Sequence, residues 1–257
     1  MPLAFTRAVS PRLPECALTH FERQPIDVAR ATAQHAAYEQ ALKDAGFDIV
    51  RLPDLPNDPD AVFVEDTALI LGEHAIITRP GAASRENEIY STAIGLTPHF
   101  TVHFLPTGTL DGGDVLRIEN TLYVGLSSRS DAAGAQALEA AVSPLGFWVV
   151  PIELEHCLHL KTAATFAGLD DQGVPTVLVN PDWVDPAYFS GTNALLVPVE
   201  EPFAANVIQA GGRLIMGAGS PGTARMLREF GFTVVEVDLS ELQKAEAGGT
   251  CMSLLSD

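Results

Sequence analysis

Cysteine is scarce in this 257-residue sequence: Cys16, Cys157 and Cys251 form an odd, widely spaced set that makes no disulfide framework. The chain must therefore fold on its apolar core, and its thiols point to a reducing cytoplasm. Basic side chains are also few, with 15 Lys and Arg against 33 Asp and Glu and a formal charge of −18. Such a field repels phosphate backbones and anionic lipid, which argues against nucleic-acid and membrane-surface partners and favours a small cationic molecule. Long apolar runs are missing: Ala61 to Val64 and Thr67 to Leu71 fall far short of the roughly 18 residues that span a bilayer. Met1-Pro2-Leu3-Ala4-Phe5-Thr6-Arg7 has no apolar core followed by a small-residue cleavage site, so a secretory leader is not expected. No Gly-rich phosphate loop follows a strand, because Gly211-Gly212 sits in a hairpin turn, and nucleotide binding has little support. What remains, with 47% hydrophobic and 19% charged residues, is a packed globular domain.

Its internal organisation is repetitive. A helix is predicted from Asp27 to Gly46 and a strand from Phe47 to Leu52. Thr67 to Leu71 and Ala75 to Thr78 then form a hairpin, Ser84 is a plausible cap for a helix carrying Ile89 and Ala93, and Thr101 to Leu105 is a strand. The order recurs with Val115 to Ile118, Leu122 to Gly125, a cap region at Ser128-Arg129-Ser130, a helix through Ala141 and a strand from Phe147 to Val150. Another copy runs from Asn206 to Val237, and a weaker one from Thr162 to Val199. The units begin near Asp66, Asp114, Thr162 and Ala205, at intervals of 48, 48 and 43 residues. The N-terminal strand, helix and strand supply a fifth unit, permuted across the chain ends. Hairpins ahead of helices suit a radial α/β arrangement, a five-bladed propeller of mixed α/β (α+β) class over residues 1–257. A doubly wound parallel sheet is the competing architecture.

Candidate chemistry lies at the starts of these units. Cys251 follows two glycines in Gly248-Gly249-Thr250-Cys251-Met252-Ser253, a context that suits a nucleophile but equally a small buried hydrophobe. His159 lies between Leu158 and Leu160, where it is either a satisfied structural residue or an acid/base group. Zinc is not expected, since Cys157 with His156 or His159 lacks further ligands at suitable spacing. Asp60, Glu65 and Asp66, then Asp111 and Asp114, precede two hairpins, and acids beside apolar strands need a cationic partner. A guanidinium matches carboxylate geometry. A thiol, a histidine, an orienting acid and guanidinium-binding carboxylates form a constellation for attack on a guanidine carbon.

The stretches PDAVFVED (59–66), ITRPGAASR (77–85), TLDGGDV (109–115), LHLKT (158–162), AAN (204–206) and GGTCMS (248–253) resemble the dimethylarginine dimethylaminohydrolases of the guanidine-modifying, or pentein, superfamily. The resemblance covers essentially the whole chain and implies a five-bladed ring around a central channel. It implies that Cys251 is the nucleophile, His159 the general acid and base, and Asp111 the acid that orients His159. Asp60 and Asp66 would bind the guanidinium, Arg85 and Arg129 the substrate's α-carboxylate, and Leu18, in a lid, would offer its carbonyl to the α-amine. The expected reaction is hydrolysis of a methylated arginine to citrulline and an amine, with no metal or organic cofactor. A homo-oligomer is allowed but not specified. Related arginine deiminases and amidinotransferases are longer chains, and a non-catalytic ring that binds a partner is the reading from another class.

Overall fold

The computed structural model describes residues 1–154 and 156–256. In chain order the strands are β1 (Leu3–Thr6), β2 (Asp48–Arg51), β3 (Ala68–Leu71), β4 (His74–Ile77), β5 (Thr101–Phe104), β6 (Val115–Ile118), β7 (Thr121–Leu126) and β8 (Trp148–Glu153). They continue with β9 (Ala164–Leu169), β10 (Pro175–Val179), β11 (Asn193–Leu196), β12 (Val207–Ala210), β13 (Arg213–Gly217), β14 (Thr233–Val237) and β15 (Leu254–Leu255). The helices are α1 (Val28–Asp44), α2 (Glu88–Leu96), α3 (Ala132–Val142), the single turn α4 (Leu160–Ala163), α5 (Pro221–Glu229) and α6 (Ser240–Gln243).

Among the described residues these strands form five three-stranded sheets, β15-β1-β2, β3-β4-β5, β6-β7-β8, β9-β10-β11 and β12-β13-β14. Each has the same design: the first strand runs antiparallel to the middle one, and the third runs parallel to it. A parallel third strand needs a crossover, and in four of the five sheets an α-helix before it supplies one. Neighbouring sheets touch in order: β15 lies against β3, β6 against β9, and β9 against β12. The circuit returns to its start where α1 packs on β14 and a shared core joins Ala4 and Tyr38 to Ile208 and Ile215. The single doubly wound sheet is thereby excluded.

The fifth, permuted blade is present, with Ala4 opposite Leu255 and Phe5 opposite Leu254. Asp27 caps α1 by accepting from the Arg30 N–H at 3.0 Å, and Gly46, with φ +98°, takes the left-handed turn that ends the helix before β2. Two caps fall elsewhere than the sequence suggests. Ser84 lies inside a 3₁₀ turn (Ala83–Arg85), and α2 begins only at Glu88, because that turn delivers Arg85 into the protein to meet the Glu88 carboxylate. Helix α3 is capped by Asp131, which accepts from Gly134 N–H at 2.7 Å. Ser127 and Ser130 are drawn off to Asp114, a buried carboxylate that needs their hydroxyls. In the weaker fourth unit, only a 3₁₀ turn (Pro186–Phe189) lies between β10 and β11, which is why its helical signal is faint.

Candidate active site

The turn that precedes the leading strand of each blade carries the chemistry. Glu65 and Asp66 lie in the 3₁₀ turn before β3, Asp111 and Asp114 in and beside the turn before β6, and His159 immediately precedes α4, which leads into β9. Asn206 immediately precedes β12, and Thr250 and Cys251 form the turn before β15. The turn before β3 packs on those before β6 and β15, and α4 packs on the turn before β6. Gly112 and Gly113 make this approach possible. A Cβ at Gly112 would stand 2.0 Å from the Glu65 carbonyl oxygen, and one at Gly113 would stand 2.6 Å from His159 Nδ1.

Cys251, His159, Asp60, Asp66, Arg85 and Arg129 consequently line one small cavity of about 20 Å³. His159 is buried, and its Nε2 lies 3.0 Å from Asp111 Oδ2 and 3.8 Å from Asp66 Oδ1. Burial opposes charging the ring, but Asp66, Asp114 and the hydrogen bond to Asp111 outweigh it and push the imidazole up to about 9. Asp111 is fully buried, accepts from Gly81 N–H at 2.8 Å, and has Arg129 Nη1 at 3.6 Å. It is thus fixed in orientation.

Cys251 Sγ accepts from Gly248 N–H at 3.2 Å. Desolvation in the packed turn, together with the carboxylates Glu65 and Asp66, pushes the thiol up to about 12. A cation entering the cavity would reverse that balance. Asp66 shows the opposite behaviour: burial would raise it, but His159 and Arg85 hold its carboxyl below the usual range. Burial raises Asp60, which accepts from Ala17 N–H.

Arg85 is the most tightly engaged group. Its guanidinium bonds Asp66, donates to the Phe63 carbonyl at 2.7 Å, and reaches Glu88 Oε2 at 2.8 Å. Arg129 keeps a looser set of contacts, to Asp111 and to Thr19 Oγ1 at 3.4 Å. Leu18 is half-buried against the core that contains Tyr38, beside Ala17 in the cavity wall and not in the wall itself. Asp66, Asp111 and His159 offer ligating atoms within 4.8 Å of one another, a span that suits a metal ion. Both carboxylates are, however, already faced by Arg85 and Arg129, so the donor set is matched by guanidinium groups.

Sequence reasoning left several supporting residues without a role. Glu65, one of the acids before β3, receives Lys161 Nζ at 2.5 Å and Thr250 Oγ1–H at 2.7 Å. Asn206 Oδ1 accepts from Thr250 N–H at 3.0 Å, while its Nδ2 donates to the Lys161 carbonyl at 2.9 Å. The Cys251 turn is thus held by Glu65 and Asn206, which Lys161 in turn ties together. The available signal was an acid and a lysine inside apolar stretches, VFVED and LHLKT, since a buried charge demands an opposite one. Arg7, fully buried, fixes the loop bearing Asp60 by donating to the carbonyls of Pro53 and Ala61.

No family model matches the chain. Over 255 residues, 98% of this chain and 95% of the relative, it is 40% identical to the N(G),N(G)-dimethylarginine dimethylaminohydrolase of Streptomyces coelicolor. The chain belongs to the dimethylarginine dimethylaminohydrolase family. A family structure from Pseudomonas aeruginosa, a cysteine-to-serine mutant complexed with citrulline, superposes with a TM-score of 0.91 at 35% identity, covering 98% of both chains. A histidine-to-glycine variant of a dimethylarginine dimethylaminohydrolase, an adduct with S-methyl-L-thiocitrulline, also matches at 0.91 and 35% identity over the full length of both chains. The five-bladed α/β ring is therefore the fold of this family, as the repeats in the sequence suggest. Among the described residues no helix is long and apolar enough to cross a membrane.

Proposed function

We propose that the chain hydrolyses Nω-methylated arginines to citrulline and dimethylamine or methylamine, with Cys251 as nucleophile, His159 as acid and base, and Asp111 as its orienting partner. The observation that carries this reading is the shared cavity: a thiol, a basic imidazole and two buried aspartates meet there in a member of this family. The citrulline complex and the thiocitrulline adduct of the related structures support the same substrate class. Free cysteines support a reducing cytoplasmic setting.

The chemistry follows from the charges. Before substrate binds, the thiol of Cys251 keeps its proton and His159 is an imidazolium. In our reading the guanidinium is held by Asp66 and Asp60, and its positive charge beside the sulfur offsets the carboxylates, so the thiol releases its proton to solvent. The thiolate attacks the guanidinium carbon and a C–S bond forms. His159 then gives a ring proton to the methylated nitrogen, the C–N bond breaks, and the neutral amine leaves a thiouronium on Cys251. The imidazole, now neutral, takes a proton from water as the water oxygen bonds to the same carbon. Cleavage of the C–S bond returns the thiolate, and the hydroxyl proton passes to solvent to leave neutral citrulline.

Arg129 and Arg85 are assigned to the α-carboxylate and the Leu18 carbonyl to the α-amine. For Arg85 this requires a guanidinium that bridges Asp66 and Glu88 to turn one N–H outward. The test is incubation with asymmetric dimethylarginine and, separately, with free arginine, while citrulline, dimethylamine and ammonia are quantified. Citrulline with dimethylamine supports the reading. Citrulline with ammonia from arginine alone would assign a deiminase, and no product from either would return the chain to a binding role.

A further inference from the structure

The cavity at Cys251 is too small for the reaction assigned to it. About 20 Å³ accommodates roughly one water, whereas small-molecule sites run to about 300 Å³ or more. Directly beyond it lies a second cavity of about 390 Å³, and the two share Leu158, Glu246 and Ala247 as a common wall. The segment 17–21 borders both: Ala17 lines the small cavity, and His20 and Phe21 line the large one.

Glu246 stands at the meeting point of wall and cover. Its backbone has φ +59°, a left-handed conformation that residues with a Cβ adopt only where their surroundings impose it. Its carboxylate accepts three consecutive backbone N–H groups from the covering segment: Thr19 at 3.0 Å to both oxygens, and His20 and Phe21 at 2.6 Å to Oε1. Three amides converging on one carboxylate make a charge-assisted clasp between segments 225 to 227 positions apart. Two further ties hold the same segment, from Ala17 N–H to Asp60 and from Arg129 to Thr19 Oγ1. Those two ties end on residues that the function proposed above assigns to substrate, so a bound substrate competes for them. The tie to Glu246 ends on a residue to which the function proposed above gives no bond with substrate.

We propose that Glu246 is the positioning residue that recloses segment 17–21 over bound substrate. Opening of the clasp joins the two cavities and admits a cationic guanidine from the outer one. Once Asp60 and Arg129 have turned to the substrate, the Glu246 carboxylate alone draws the segment back, which sets the Leu18 carbonyl in place. Through Leu18 this inference rests on the function proposed above.

The test uses Glu246→Ala and Glu246→Gln in the full chain, with two readouts. Amide hydrogen exchange of residues 19–21 is expected to accelerate at least tenfold in Glu246→Ala, and less in Glu246→Gln, whose amide oxygen accepts without the charge. For asymmetric dimethylarginine, KM is expected to rise about tenfold while kcat stays within about threefold, the split of a group that holds the closed complex and does no chemistry. Exchange at the wild-type rate in Glu246→Ala would overturn the proposal, as would an unchanged KM. If exchange in β1 and β2 also accelerates in Glu246→Ala, Glu246→Gln decides by the same criteria. If the wild-type protein turns over no methylarginine, the proposed function fails, and the exchange rates still decide whether Glu246 holds the segment.

Discussion

Two surfaces enclose the thiol of Cys251, and they are built on opposite principles. The wall supplied by blades two to four is made of side chains whose polar groups are matched one by one: Arg85 with Asp66 and Glu88, His159 with Asp111, and Asp114 with two serines and Leu160 N–H. The seam between segments 17–21 and 245–248 relies instead on backbone amides, a left-handed glutamate and a long contact from Arg129. A saturated network is rigid, because removing one partner leaves a buried charge uncompensated. Amide ties to a half-exposed carboxylate open without stranding a buried charge, because water takes the place of either partner. A wall that must hold a proton in one place and a cover that must move thus differ in how their hydrogen bonds are spent.

The sharpest way to break the wall is chemical. Cys251→Ser is expected to lower turnover by at least about 10⁴-fold, with asymmetric dimethylarginine still binding by calorimetry. Asp111→Asn should cost about 10² to 10⁴-fold in kcat, because a neutral amide no longer holds the charged ring in its orientation. Retained activity in Asp111→Asn would remove it from the machinery. Arg85→Ala should destabilise the fold by about 3 to 5 kcal/mol in urea unfolding, since it strands two buried carboxylates. An effect under about 1 kcal/mol would mean that the wall is not saturated in the sense argued.

The pH response sharpens the same contrast. His159 is raised from 6.5 to about 9 in the folded state, so its charge contributes stability that is complete below its unfolded value and is lost as pH rises through about 9. The same deprotonation removes the acid for amine departure, so kcat should fall above about pH 9, and His159→Asn should abolish the stability difference between pH 7 and 10. On the seam, Thr19→Val should change KM by no more than about threefold, because its bond to Arg129 is long.

Much of this was legible in the residues. The intervals between Asp66, Asp114, Thr162 and Ala205 expose the repeat because each unit needs the same strands and crossover, the acids declare themselves by standing at equivalent unit starts, and Cys251 by the two glycines before Thr250. The helix caps were less legible, because Ser84, Ser128 and Ser130 have good capping chemistry locally and tertiary demands from Arg85 and Asp114 override it. The role of Lys161 was hidden, since its partner Glu65 lies 96 positions away and no periodicity connects them. Glu246 gives no signal at all in sequence: an exposed-looking acid near two glycines becomes a clasp only through contact with amides more than 220 positions distant.

The first blade has a kinetic meaning. Four of the sheets are drawn from contiguous stretches of chain, whereas β15 reaches β1 only by bringing together residues such as Leu3 and Ser256, 253 positions apart. Local pairings form early in folding and distant ones late. The turn bearing Cys251 leads directly into that late strand. Refolding protein should regain its secondary structure before it regains a working thiol, so chains caught in between are well formed to a spectroscope and inert to a substrate.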